Sequence, residues 1–303
     1  MTQQEALEVL KMRRNVFLTG AAGSGKTYVL NSYIKFLKER GVTVGITAST
    51  GIAATHIHGL TIHSFAGIGI KRFLGDAEIK VIAGNKRVAA RLRNAAVLVI
   101  DEISMLDAAR LDLVDRVARF TRGSPAPFGG LQVILCGDFF QLPPVAEGNQ
   151  APPQFAYRAA SWEALNLKIC YLQEQHRQDD IEFLETLGAI RGASVGDRTT
   201  TTLASRCQAE TPRHIVTKLY SHNVNVDAEN NRKLAELHGE ERVYQMETRG
   251  VPKIAETLKK GCLAPGTLAL KMGAAVMFIK NNFERGYANG TLGTINVFRD
   301  GLP

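Results

Sequence analysis

GAAGSGKT, Gly20–Thr27, follows the apolar run NVFLT (Asn15–Thr19) and opens a helical pattern that continues from Lys26 to about Arg40. The spacing is G-x-x-x-x-G-K-T, set between a strand and a helix as a phosphate-cradling loop requires. Gly20, Gly23 and Gly25 let the backbone curl, so that the N–H groups of a loop that also holds Ala21, Ala22 and Ser24 face phosphate oxygens. The helix start adds the positive end of its dipole. Lys26 is placed to reach the β- and γ-phosphates of ATP, and Thr27 to coordinate Mg²⁺. The alternative is a chance Gly-rich turn, and a strand before and a helix after it argue against that.

Two further strand ends complete the chemistry. VLVIDEIS (Val97–Ser104) runs from apolar residues into adjacent acids. Asp101 suits Mg²⁺ held through water, and Glu102 suits a general base that polarises the attacking water. LCGDFFQLPPV (Leu135–Val145) puts Gln141, a neutral amide able to bond both a phosphate oxygen and the lytic water, beside Phe139, Phe140, Pro143 and Pro144. Such apolar faces suit a protein on which bases stack. The alternative is that both Phe residues belong to the core.

Around these sites the chain alternates strand and helix patterns. A helix near Gln4–Arg13 leads in, and strands follow at Val42–Thr47, Leu131–Cys136 and Lys168–Leu172. Continuous apolar strands separated by helices predict an α/β fold, a parallel sheet covered on both faces, over residues 1–172. Between Lys71 and Arg93 seven basic residues face only Asp76 and Glu78. This insertion, about 66–95, reads as a solvated helical face or as a surface turned to nucleic acid. A second domain is expected over 173–303, with a helix near Asp180–Arg191, a strand at His214–Tyr220 and a helix at Asn225–His238. Short β-like segments from about 243 to 303 predict a small barrel-like insertion.

The 303 residues carry 37 basic and 29 acidic side chains, a net charge of +8 that suits a polyanionic partner. Neither an apolar run long enough to span a membrane nor a basic head followed by an apolar stretch is present, so no membrane association or signal peptide is expected. The four cysteines form no C-x-x-C pair, which points to reduced thiols. The expected compartment is the bacterial cytoplasm, or the nucleus or mitochondrion of a eukaryote.

The segments TASTGIAA (Thr47–Ala54), GLTIHSFAGIG (Gly59–Gly69), IDEISML (Ile100–Leu106), GDFFQLPPV, LQEQHRQDDIEFLETLGAIRGA (Leu172–Ala193), TKLYSHNVNVDAENNRKL (Thr217–Leu234) and LKMGAAVMFIKN (Leu270–Asn281) occur in order. Together they resemble the petite integration frequency (PIF) family of DNA helicases, RecD-like members of helicase superfamily 1B. The resemblance implies a P-loop NTPase with a RecA-like domain followed by a second RecA-like domain that carries a small β insertion. It also implies ATP- and Mg²⁺-dependent 5′→3′ movement on single-stranded DNA by a monomer, with unwinding of duplex, forked and folded DNA. DNA repair, recombination and telomere maintenance are the implied settings.

Residue by residue, the resemblance assigns Gln4 to the adenine and Arg177 to the role of arginine finger. It places Thr50, Gly51, His63, Ser64 and Phe65 on the DNA path, Phe65 offering a stacking face; Phe140 and Pro143, apolar faces by their residue type, are expected to contact DNA as well. His222 and Asn223 become phosphate contacts from the second domain. His56, His58 and His63 also invite a metal reading, but no carboxylate or thiol joins them to fill a ligand set. In one respect the chain departs from the family. Its last two motifs, one a Gln-Gly segment, are absent, and the sequence stops at GTINVFRDGLP. The second domain is therefore expected to be incomplete, with ATP binding retained and unwinding weak or lost. Two other classes fit less well: a module binding ATP and single-stranded DNA without coupled unwinding, and an ATPase regulator acting on proteins.

Overall fold

The computed structural model describes residues 1–69, 71–145, 152–175, 179–207, 218–250, 255, 256, 259, 262, 264–279, 287 and 291–299. The chain divides into two compact units, Met1–Gln208 and Ala209–Pro303. Residues 173–207, expected with the second domain, thus fall in the first unit.

In chain order the first unit runs α1 (Gln3–Lys11), β1 (Val16–Gly20), α2 (Lys26–Lys38), β2 (Val44–Ala48), α3 (Gly51–His56), β3 (Leu60–Thr61), α4 (Ile62–Ala66), α5 (Asp76–Gly84) and α6 (Lys86–Asn94). It continues with β4 (Val97–Asp101), α7 (Ala108–Arg122), β5 (Gln132–Cys136), α8 (Ala160–Ala164), β6 (Lys168–Leu172), α9 (Ile181–Arg191) and α10 (Asp197–Cys207). Among the described residues six strands form one sheet in the order β3-β2-β4-β5-β1-β6, every neighbouring pair parallel. Successive side chains of a strand point to opposite faces, and both faces here are covered. Val16, Leu18, Val97, Val99 and Ile134 join α1 and α2 in one core, which includes Leu10, Leu30 and Tyr33. Phe17, Leu98, Ile100, Val133 and Leu135 join the helices on the other side, through Phe65, Leu92, Leu111 and Val114. β1 and β4 are buried along their whole length.

The basic insertion belongs to this second core rather than standing clear of it. Val88, Ala89 and Leu92 of α6 are buried, while Lys80, Lys86 and Arg87 remain exposed. Two of its arginines bind backbone: Arg91 Nη2 donates to Ser64 O at 2.7 Å, and Arg93 Nε to Thr121 O at 3.0 Å.

The second unit contains α11 (Asn223–Glu236), β7 (Arg242–Gln245), β8 (Thr267–Leu270), β9 (Ala275–Met277) and β10 (Leu292–Thr294). β7 pairs with β8 and β9 with β10, both antiparallel. Leu270, Ala274 and Ile295 form a small core against Leu234, Leu237 and Tyr244. The strand expected at His214–Tyr220 is not seen in 218–220, and 214–217 lie outside the described residues. Among the described residues no helix is long and apolar enough to cross a membrane.

Candidate nucleotide site and nucleic-acid face

The strand order makes β4, β5 and β1 neighbours, so their C-terminal ends share one edge, where open α/β sheets bind ligands. The register sets Leu18 against Cys136, Ile100 against Leu135 and Ala48 against Asp101. This brings Gly20–Thr27, Asp101–Glu102 and Asp138–Gln141 together.

The loop after β1 takes backbone angles that only glycine adopts without strain. φ is +85° at both Gly23 and Gly25. A side chain at Gly25 would also strike Gln3, whose Nε2 would lie 2.0 Å from the added Cβ. Gln3 Nε2 donates to Ser24 O at 3.3 Å. Lys26, first residue of α2, donates to Gly20 O at 2.8 Å and Ala21 O at 3.0 Å, curling over its own loop. Ser24 Oγ is buried with no hydrogen-bond partner among the described residues, and Thr27, three residues on, is exposed.

At the end of β4, Asp101 is 7% exposed and its Oδ1 accepts the Glu102 N–H at 2.9 Å. Burial raises the Asp101 carboxyl above its ordinary range, against hydrogen bonds from Cys136 and Glu102 N–H and the charge of Lys26. Glu102 is also raised, first by burial and then by Asp101, while Lys26 opposes. Glu102 sits in the left-handed region, φ 51°, where a non-glycine residue is strained. Ser49 Oγ donates to Glu102 O at 2.7 Å and Ser49 N to Asp101 O at 3.1 Å, which fixes this turn from β2.

Gln141 is exposed, and its Nε2 donates to Asp138 Oδ2 at 3.1 Å. Asp138, 1% exposed, receives a fork from Arg191 at the end of α9: Nη1 to Oδ2 at 2.7 Å and Nη2 to Oδ1 at 2.9 Å. Burial alone would raise the Asp138 carboxyl, but the bonds from Arg191, Gln141 and Phe140 N–H outweigh it and hold it below the usual range.

Gln4 is exposed and donates to Glu8 at 3.0 Å, whereas Gln3 touches the loop. Both border a cavity of about 290 Å³ beside α2, which Leu7, Tyr28 and Glu174 also line. Arg177 lies outside the described residues.

On the expected DNA path, Thr50 caps α3 by accepting Ala53 N–H at 3.2 Å, and Gly51 is exposed. Ser64 is exposed and its Oγ accepts from Thr61. His63 is half-buried; burial, then Arg110, lowers its pKa, and Asp107 opposes. The stacking face expected of Phe65 is not there. The residue is 4% exposed and packs in the core, because β2 puts Gly45 directly beneath its ring. Phe140 is 72% exposed and Pro143 is exposed, while Phe139 turns inward to Phe17, Phe155, Tyr157 and Trp162. The two phenylalanines thus split between the two readings. His222 begins α11 in the second unit, exposed, with Nδ1 2.9 Å from Ser221 Oγ, and Asn223 is the first helical residue. Among the described residues no three His, Cys, Asp or Glu side chains group to hold a metal ion.

Gln3, Asp138 and Arg191 are functional candidates that residue patterns did not single out. Arg191 stands in the quoted segment AIRGA, but only the fold shows that it returns to the end of β5.

The family described as PIF1-like helicase matches residues 3–187, and the DNA helicase Pif1 2B domain matches 253–298. The chain is 48% identical to an ATP-dependent DNA helicase Pif1 of Psychrobacter over 306 residues, 98% of this chain and 46% of that protein. It is 38% identical to the human ATP-dependent DNA helicase PIF1, covering 99% of this chain and 47% of the human one. It therefore spans about half the length of such curated relatives. The crystal structure of Pif1 helicase from Candida albicans superposes with a TM-score of 0.85 at 38% identity, covering 98% of this chain and 68% of that one. Bacteroides sp. Pif1 in complex with ADP-AlF4 gives a TM-score of 0.77 at 30% identity, covering 98% and 69%. With a RecA-like parallel sheet, a complete phosphate loop and a family match over most of the first unit, this chain belongs to the PIF1-like helicase family.

Proposed function

We propose that this chain carries the ATP-binding and ATP-hydrolysing part of a DNA helicase that moves 5′→3′ along single-stranded DNA and separates duplex, forked or folded DNA. The observation that carries the reading is the convergence on one sheet edge of Lys26, the Asp101–Glu102 pair and Gln141. Entering phosphates replace the carbonyls of Gly20 and Ala21 as partners of Lys26, and the loop from Gly20 to Gly25 offers its N–H groups. Gln3 and Gln4 edge the cavity that receives the base. Glu102, with its raised pKa, is a stronger base than an ordinary carboxylate and takes a proton from the attacking water. Gln141 turns from Asp138 to the γ-phosphate. Arg177 is the arginine finger of the reading, supplying positive charge to the transition state.

The donor set fits Mg²⁺: an exposed Thr27 hydroxyl at the helix start and a buried carboxylate, Asp101, both hard oxygen ligands. When bound, the ion neutralises charge on the β- and γ-phosphates. DNA is held by Thr50, Gly51, His63 and Ser64 through hydroxyl, N–H and imidazole donors, with Phe140 and Pro143 as the apolar faces. His222 and Asn223 belong to the same reading from the second unit, as do a reducing intracellular location, a monomeric state and a role in DNA repair, recombination or telomere maintenance. Structural relatives support the DNA part, among them Bacteroides Pif1 in complex with ADP-AlF3 and single-stranded DNA.

The test is ATP hydrolysis with and without an oligo-dT strand. Stimulation by the strand, abolished in Lys26→Ala, supports the reading. DNA binding with no turnover supports a module without motor action, and indifference to DNA at low salt overturns the nucleic-acid assignment.

A further inference from the structure

The Asp138 carboxylate is shared by three groups whose destinations differ. Oδ2 accepts from Gln141 Nε2 at 3.1 Å and Arg191 Nη1 at 2.7 Å; Oδ1 accepts from Phe140 N–H at 3.2 Å and Arg191 Nη2 at 2.9 Å. Its acceptor sites are full. The carbon of the same guanidinium stands 4.4 Å from the centre of the Phe140 ring, over its face. The other side of Phe140 is open, since 72% of the residue is exposed. One arginine therefore touches both the exposed ring of Phe140 and the carboxylate that restrains Gln141.

We propose that Arg191 is a positioning residue that couples strand occupancy to the nucleotide site: it joins the exposed ring of Phe140 to the Asp138 carboxylate that holds Gln141. The inference rests on the helicase reading above and adds the route between its two ligands. A base stacked on Phe140 fixes the ring and, through the cation–π contact, the guanidinium. With the fork locked, Asp138 keeps two charge-assisted bonds and gives up the weaker one from Gln141 at lower cost. Gln141 is then free to meet the γ-phosphate. By linkage, a nucleotide that draws Gln141 away favours the same locked fork and so favours the strand.

Thermodynamic coupling tests this without unwinding. The affinity of the 303-residue chain for a non-hydrolysable ATP analogue is measured with and without saturating oligo-dT. The parent is expected to bind the analogue at least about fivefold more tightly with the strand, within the usual span of allosteric coupling. Arg191→Lys keeps the charge but loses the planar fork and the stack. It should bind each ligand alone within about threefold of the parent and reduce the coupling to less than about twofold. Phe140→Leu should lose the coupling as well, even where its strand affinity is lower and more oligo-dT is needed. The double variant should be no worse than either single one. If Arg191→Lys is unstable, Phe140→Leu alone decides the matter. Parental coupling in either variant, or none in the parent, overturns the proposal. A parent that binds neither ligand overturns the helicase reading itself.

Discussion

Gly45 and Phe65 provide a test of whether the GLTIHSFAG segment faces DNA or the core. A methyl group added at Gly45 would stand 2.6 Å from Phe65 Cζ, 3.0 Å from Cε2 and 3.4 Å from Leu98 Cδ1. Carbon atoms pack at about 3.5–4.0 Å, so the ring would have to retreat by roughly 1 Å. It has little room, since Phe65 is 4% exposed and Leu98 fully buried. Gly45→Ala should therefore lower stability by about 1–3 kcal/mol through overpacking. Phe65→Leu removes the atoms in the way but leaves a gap, and should lower it by about 1–2 kcal/mol, less than the 3–5 of a truncation to Ala. Combined, the two changes relieve each other, and the double variant should be more stable than their sum by about 1 kcal/mol or more. The assay is urea unfolding, with ΔG taken from the midpoint and slope. Oligo-dT affinity of folded Phe65→Leu should stay within about twofold, whereas loss of a stacking platform worth about 1–3 kcal/mol would weaken it from about fivefold to more than a hundredfold. Additive stabilities, together with a tenfold loss of DNA affinity at unchanged stability, would refute burial as the role of Phe65.

Other residues yield sharper single outcomes. Glu102→Gln should keep ATP affinity within about threefold and slow single-turnover hydrolysis by about 10²–10⁴-fold, as removal of a general base does. Gly25→Ala meets both the φ of +85° and the Gln3 amide, so calorimetry should show at least about a tenfold loss of ADP affinity, restored only in part by adding Gln3→Ala. Arg122 donates to the carbonyls of Gly129, Leu92, Arg93 and Ala95, and Arg122→Ala should lower stability by about 2–4 kcal/mol while ATP affinity holds. In α11, hydrogen bonds from Arg232 and Lys218 pull the Glu229 carboxyl down to about 2. Its contribution is complete above the ordinary carboxylate value and fades as pH falls toward about 2. NMR titration should place its midpoint there and move it up in Arg232→Gln.

The sites whose chemistry depends on residue type and local order were legible in the sequence. A Gly-rich loop between β1 and α2 must curl, as its left-handed Gly23 and Gly25 do, and acids at the end of an apolar strand reach the edge of the sheet wherever that strand lies in it. The strands at Val97–Asp101 and Lys168–Leu172 could be bounded for the same reason, because their apolar runs are uninterrupted. What the sequence did not carry is the direction of side chains within those segments. Gln3 and Gln4 are adjacent and identical, and only the rotation of α1 decides which one meets the loop. Phe139 and Phe140 are likewise indistinguishable in composition, yet one enters an aromatic cluster and the other is exposed. Phe65 looked like a platform because its segment resembles one that lines DNA, but a glycine on the neighbouring strand makes a hole that only a large ring fills.

The role of Arg191 appears only in the folded chain. It lies 53 residues from Asp138, and nothing in AIRGA distinguishes it from a solvated arginine at a helix end. Its meaning comes from a pairing in which one partner is 1% exposed. A buried carboxylate without a counter-charge is expensive, and breaking such a pair typically costs about 3–5 kcal/mol. The fold must therefore bring a cation to Asp138, and α9 is the element that supplies it. That requirement ties α9 to the end of β5 and places it in the first unit. The same fork holds the guanidinium beside Phe140, so the demand of one buried charge for a partner also sets that arginine over the exposed ring.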